Sequence, residues 1–257
     1  MKPATIPFPR TFKVGDSGID CRAVKRALAK WFGNADGLNL QSNAFGPRAG
    51  MVLGAFQNGH GLAPDEVYGP ATHEKLRPFF DELGASLMAR KAYSLAAQRQ
   101  RDGYVAAWRW AVAHRVENDY REVRPIPFWL PAFETSQRIE TDCSGETALL
   151  AKWEGLPDPS GFAFDGQGNT GTLLHHCTKI AIAQALPADL IVYRAGAWDS
   201  YGHHVVAILA RLGASDFEIG SNGHQGDPGQ YMHSTMAATQ AREGYPDSVF
   251  LRWLPAP

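Results

Sequence analysis

Four short apolar runs late in the chain most limit its fold: DLIVYRAG at 189–196, HHVVAILARLG at 203–213, DFEIGSNG at 216–223 and SVFLRWLP at 248–255. Each has the length of a strand and is bounded by residues that favour turns. Ahead of them, SGETALLAKWEG at 144–155 and TGTLLHHCTKIAI at 170–182 carry helical spacing instead. Short strands joined by tight turns pair antiparallel, so the expected class is α+β, with helices packed on an antiparallel sheet.

The size fits more than one domain. With 257 residues, 44% of them hydrophobic, the chain can bury a real core and divides into two domains. A formal net charge of -1 argues against a nucleic-acid partner, which calls for a basic excess. No apolar run approaches the roughly 18 residues of a membrane span. The opening MKPATIPFPRTFKVGD has no apolar stretch of the secretory type, so no signal peptide is expected. Three cysteines, Cys21, Cys143 and Cys177, are too few and too scattered for a disulfide framework or a zinc knuckle.

The first part reads as three short helices. In GDSGIDCRAVKRALAKWFG, the residues Asp16, Ser17 and Gly18 supply caps, Val24, Ala27, Leu28 and Trp31 recur at helical spacing, and Gly33 ends the helix. A second helix follows through Met51, Val52, Ala55 and Phe56. A third starts near Pro70, whose missing N–H costs nothing in a first turn. From Arg77 to about Asn118 the chain looks helical again, with Trp108, Ala111, Val112 and Arg115 as a packing face, until RPIPFWLP at 124–131 stops it.

The chemistry is concentrated in TDCSG at 141–145. A thiol attacks only as thiolate, and a helix N-terminus or a neighbouring imidazole lowers its pKa from about 8.5. Cys143 stands where a good helix begins, in a polar setting that suits a buried structural thiol poorly. Ser144 and Gly145 keep the first turn small, so a carbonyl can approach the sulfur and the backbone N–H groups. Cys21 and Cys177 lie on apolar helical faces and read as core. Of the nine histidines, His203 and His204 open an apolar strand and face opposite sides of it, so one of them can serve as base. Zinc is the chemical rival, through His203, His204, His224, Asp199 and Asp227, although no fixed ligand spacing such as HExxH is present.

Two resemblances sharpen this. The spaced matches Val14-Gly15-Asp16-Ser17-Gly18, Val24 to Leu28, Phe45-Gly46-Pro47, Ala55-Phe56-Gln57, Gly61-Leu62 and Val67-Tyr68-Gly69-Pro70-Ala71-Thr72 resemble the three-helix type of peptidoglycan-binding domain. Pro47-Arg48 stands where that family usually has a threonine. DCSG at a helix start, then LPADLIVYRAG and GHHVVAIL, is similar to the NlpC-type cell-wall cysteine peptidases, which are papain-like in fold. FDGQGNTGTLLHH and DFEIGSNGHQGDP are similar to segments in phages of actinobacteria.

The resemblance implies Cys143 as nucleophile, His204 as base and Asn222 as the residue that orients the imidazole, with Glu218 and His224 as rivals for the third place. Asp142, Ser144, Gly145, Tyr201 and His203 are the implied substrate-binding residues. It also implies an extension over 1–12, a peptidoglycan-binding domain over 13–80, a helical linker over 81–107 and a papain-like peptidase domain over 108–257. The expected function is a phage endolysin-like hydrolase of bacterial peptidoglycan that cuts a stem-peptide amide. It would need no cofactor and no metal, and would reach the wall through a holin pore, on a virion or by injection. The alternatives are a non-catalytic wall-binding or virion protein, and a cysteine amidase or transferase on the same fold.

Overall fold

The computed structural model describes residues 6–101, 108–109, 139–140, 143–164, 168–200, 202–221, 232–237 and 244–255. The chain forms two compact units, residues 1–92 with 255–257, and residues 93–254.

The first unit holds α1 (Ile19–Phe32), α2 (Pro47–Gly59), α3 (Pro70–Leu76), a 3-10 turn (Arg77–Phe79) and the start of α4 (Glu82–Arg101). Gly33 closes α1 in the left-handed conformation, donating its N–H to Ala29 O at 3.0 Å. Pro47 and Pro70 open α2 and α3. The expected side-chain cap on α1 is absent: Gly18 is the N-cap, and Asp16 accepts from Lys13 N instead. Gly18 is needed for space, since a Cβ there would lie 2.1 Å from Asp20 Oδ1 and 2.9 Å from Arg10 Nη2, inside the Arg10–Asp20 ion pair. On α2 the buried stripe is Ala49, Val52, Leu53 and Phe56, while Met51 and Ala55 face solvent. The core extends ahead of residue 13, where Ile6, Phe8 and Phe12 join it and Phe12 exchanges two backbone hydrogen bonds with Tyr68.

Three buried polar side chains fasten the connections of this unit. Lys25 Nζ donates to the carbonyls of Asn39, Ser42 and Ala44, each at 2.8 Å, which fixes the α1–α2 loop. Gln57 Nε2 donates to Asp65, Val67 and Thr72, and its carbonyl accepts from Glu66 N. His73 bridges the Tyr68 hydroxyl and Ile6 O. Such groups bury without penalty only when their hydrogen bonds are made.

The second unit contains the later half of α4 with α5 (Cys143–Trp153), α6 (Thr170–His176) and two sheets. A minimal parallel pair joins β1 (Trp108–Arg109) to β2 (Ile139–Glu140). Trp108 is therefore in a strand and not on the helical face expected of it, because its backbone pairs with Ile139. Residues 110–138, including Ala111, Val112, Arg115 and the proline cluster, lie outside the described residues.

The main sheet has six antiparallel strands in the order β3 (Thr178–Ile180), β8 (Asp247–Arg252), β4 (Leu190–Arg194), β5 (His204–Arg211), β6 (Phe217–Ser221), β7 (Met232–Thr235). Four strands match the apolar runs of the sequence; β3 and β7 were not legible there. The helix expected over 170–182 stops at His176, because Cys177 turns extended and the β-branched Thr178 and Ile180 pair with Arg252 and Phe250.

All of β4 is buried. Ile191 and Tyr193 join Val206, Ile208, Phe217, Ile219 and Phe250 in one core. The alternate residues Leu190, Val192, Val205, Ala207 and Leu209 are buried on the opposite face. Helix α5 packs against β5 and β6, and Tyr93 of α4 donates to Thr147 O while its ring meets Trp253 edge-on. Among the described residues no helix is long and apolar enough to cross a membrane.

Asp189, fully buried ahead of β4, accepts from Leu186 N and pairs with Arg252 of β8 at 2.7 Å. Asp189→Ala takes the ion-pair partner from the largely buried Arg252 guanidinium, which still donates to Gln184 O, and is expected to lower the stability of the second unit by about 3 kcal/mol, read from chemical unfolding.

Burial pushes the His73 imidazole below its ordinary range. The folded state thus favours the neutral ring, and the unfolded chain takes up the proton first as pH falls. Stability from this group is complete above about pH 6.5 and is lost below it. His73→Gln is expected to flatten that loss, measured as unfolding free energy between about pH 8 and about pH 5.

Candidate active site

Cys143 is the first residue of α5, an eleven-residue helix whose N-terminal N–H groups carry the positive end of its dipole. Its carbonyl accepts from Thr147 Oγ1 at 2.9 Å, a bond one turn along that ties down the helix start. The polar sequence around Cys143 does not keep the described part of its surroundings exposed. Cys143 is 3% exposed, and Ser144, Gly145, Glu146 and Thr147 are buried with it. The first turn of α5 is therefore enclosed, and a thiolate there would be held by fixed dipoles more than by water.

His204 is the first residue of β5, the strand that α5 packs against. It is 5% exposed, and its ring lies parallel to that of its cross-strand partner Tyr193, with centroids 6.2 Å apart. His203 has a different setting. Its side chain is 44% exposed, donates from Nε2 to Asp199 Oδ2 at 3.1 Å, and stacks on Tyr245 at 4.6 Å. The two histidines thus separate into one buried at a strand start and one braced at the surface.

The rivals for the third place are unequal. Glu218 pairs with Ala210, at the far end of β5 from His204 and roughly 20 Å along the strand, so it does not reach that imidazole. β6 runs antiparallel to β5, towards its His204 end, and Asn222 follows the last residue of β6 in sequence. Asn222, His224, Asp142 and Tyr201 themselves lie outside the described residues. Of the residues weighed for the rival zinc reading, His203 and Asp199 come together, His204 heads β5, and His224 and Asp227 lie outside the described residues. Among the described residues no three His, Cys, Asp or Glu side chains cluster as a metal site.

The other two thiols are inert by environment. Burial, then Asp20, pushes Cys21 up to about 12. Burial, then Asp158 and Asp189, does the same to Cys177, whose sulfur lies 3.3 Å from Pro159 O.

The sequence marked Asp199 only as a rival zinc ligand, not as the residue that closes the loop ahead of His204. Asp199 Oδ2 accepts from Ala195 N and its Oδ1 from Gly202 N, both at 3.1 Å. Arg194, paired with Asp247, donates to Ala197 O and Asp199 O. The only advance signal was the spacing from Asp199 to Gly202, which suits an aspartate closing a turn.

No protein-family model matches the sequence, and no curated protein does. Solved structures give faint likenesses. NlpC2 from Trichomonas vaginalis aligns at a TM-score of 0.38 and 12% identity, over 65% of this chain and 46% of that one. A protein similar to a lipoprotein of the NLP/P60 family, from Staphylococcus aureus subsp. aureus Mu50, aligns at 0.29 and 12%, over 95% and 99%. The chain spans less than half the length of the first of these.

At neutral pH only Cys143 is expected to react with iodoacetamide in the folded protein. Thiols titrating near about 12 hold only about one part in 10⁵ as thiolate there. Peptide mapping after brief labelling tests this. Modification of Cys21 or Cys177 ahead of Cys143 would contradict it.

Proposed function

We propose that the chain is a peptidoglycan hydrolase that cleaves a stem-peptide amide by a cysteine mechanism. The observation that carries the reading is the placing of Cys143 and His204 as the first residues of α5 and β5, two elements packed together. The DCSG and HHVVAIL motifs, similar to those of NlpC-type peptidases, support the same assignment. His204, the buried histidine at the head of β5, is the base in this reading.

Cys143 thiolate attacks the scissile carbonyl, and backbone N–H groups in the first turn of α5 stabilise the oxyanion. His204 passes a proton to the leaving amine, and the acyl-enzyme is then hydrolysed by water that His204 activates. Asn222 is the proposed orienting group, its carbonyl accepting the imidazole N–H. Asp142, Ser144, Gly145, Tyr201 and His203 would contact the stem peptide. The three-helix unit would tether the enzyme to the wall and so raise its effective concentration on an insoluble substrate. An endolysin or an injected effector would both use this arrangement.

The burial of Cys143, at 3% exposure, favours a second reading: a wall-binding protein that keeps the peptidase shape without turnover. Digestion of purified peptidoglycan separates the two. The intact protein should release fragments with new amine and carboxyl ends, identified by mass spectrometry, and Cys143→Ala should lower the rate by about 10⁴-fold or more. Binding of both proteins with release by neither would leave the wall-binding reading.

A further inference from the structure

Trp198 is 82% exposed, far more than any other large apolar side chain among the described residues. A lone exposed aromatic needs no explanation when its backbone is free to move. This one is held. The carbonyls on both sides of it, Ala197 O and Asp199 O, accept from the same Arg194 guanidinium at 3.3 Å, and Arg194 is itself anchored by Asp247. Asp199, 5% exposed, closes the loop across Ala195 N and Gly202 N and also engages His203. The indole lies over Gly196, where an added Cβ would come within 2.7 Å of Trp198 Nε1. Gly202, held at φ 66, then leads the chain into β5 and His204.

Two buried charged side chains thus fix the backbone around one exposed indole, in the loop that leads into the strand of the proposed base. A side chain carried on a backbone already fixed loses less entropy on binding, which suits a recognition surface.

We infer that Trp198 is a saccharide-stacking platform that binds the glycan strand next to the stem peptide being cut. This role for Trp198 rests on the hydrolase reading above. A pyranose ring has one face of C–H bonds with partial positive charge, which suits the negative face of an indole. Its hydroxyls suit the polar rim, where the half-exposed His203, braced by Asp199 and stacked on Tyr245, presents an imidazole edge. A stem peptide alone, short, polar and charged, offers no comparable flat apolar face.

The test uses the full chain and two substrates: intact peptidoglycan fragments, and the same stem peptides freed of sugar. Trp198→Ala should raise KM on the glycan-bearing substrate about tenfold, with kcat within about twofold, as for loss of one aromatic anchor. On sugar-free peptide it should match the native protein. Equal loss on both substrates, or no loss on either, would overturn the inference while leaving the hydrolase reading intact. If the native protein cleaves neither substrate, the hydrolase reading fails and tryptophan fluorescence decides the rest. Peptide-free glycan strands should blue-shift the emission of the native protein and not that of Trp198→Ala, since only an exposed indole gains a dry face. Identical spectral responses would remove the platform.

Discussion

The pairing of β4 between β5 and β8 is the constraint on which the second unit depends. Every residue of β4 is buried, so its backbone groups must be satisfied by its two neighbours. That pairing fixes where β5 starts, and hence where His204 stands, because Tyr193 and His204 are register partners. A slip of one residue would exchange His204 with His203 or Val205 and turn each β5 side chain to the other face. The buried pair of Asp189 with Arg252, joining the turn ahead of β4 to β8, guards against such a slip.

Both units fasten their irregular segments in the same way. A single buried polar side chain collects several backbone groups: Lys25 takes three carbonyls, Gln57 spans the α2–α3 connection, and Asp199 and Arg194 divide the loop before β5. Loops have no ladder of their own, so satisfying their peptide groups is a tertiary matter. The consequence differs by place. Around Lys25 and Gln57 it shapes a core, whereas around Asp199 it determines the presentation of Trp198 and His203.

The enclosure of Cys143 and the raised thiols of Cys21 and Cys177 fit one picture of selective reactivity. All three sulfurs are buried, so exposure does not distinguish them. Burial is the main cause that raises Cys21 and Cys177, and neighbouring carboxylates add to it. Cys21 lies beside Asp20, and Cys177 near Asp158 and Asp189, where negative charge opposes ionisation. Cys143 is the first residue of α5, where the helix dipole offsets part of the cost of a buried thiolate.

By itself the sequence determined the class of fold, the first three helices, four of the six sheet strands, and the positions of Cys143 and His204. These are signals of local period and of chain-adjacent motif, which need no distant partner. Only tertiary structure decided the rest. The strand at Thr178–Ile180 exists because β8 pairs with it, and Trp108 is in a strand because Ile139 lies beside it. Glu218 lost its candidacy through register with Ala210, and Asp199 gained a role because a loop closed around it. Each of these outcomes depends on which backbone groups meet across the sheet or loop, and hydrogen-bond partners distant in sequence leave no periodic trace in it.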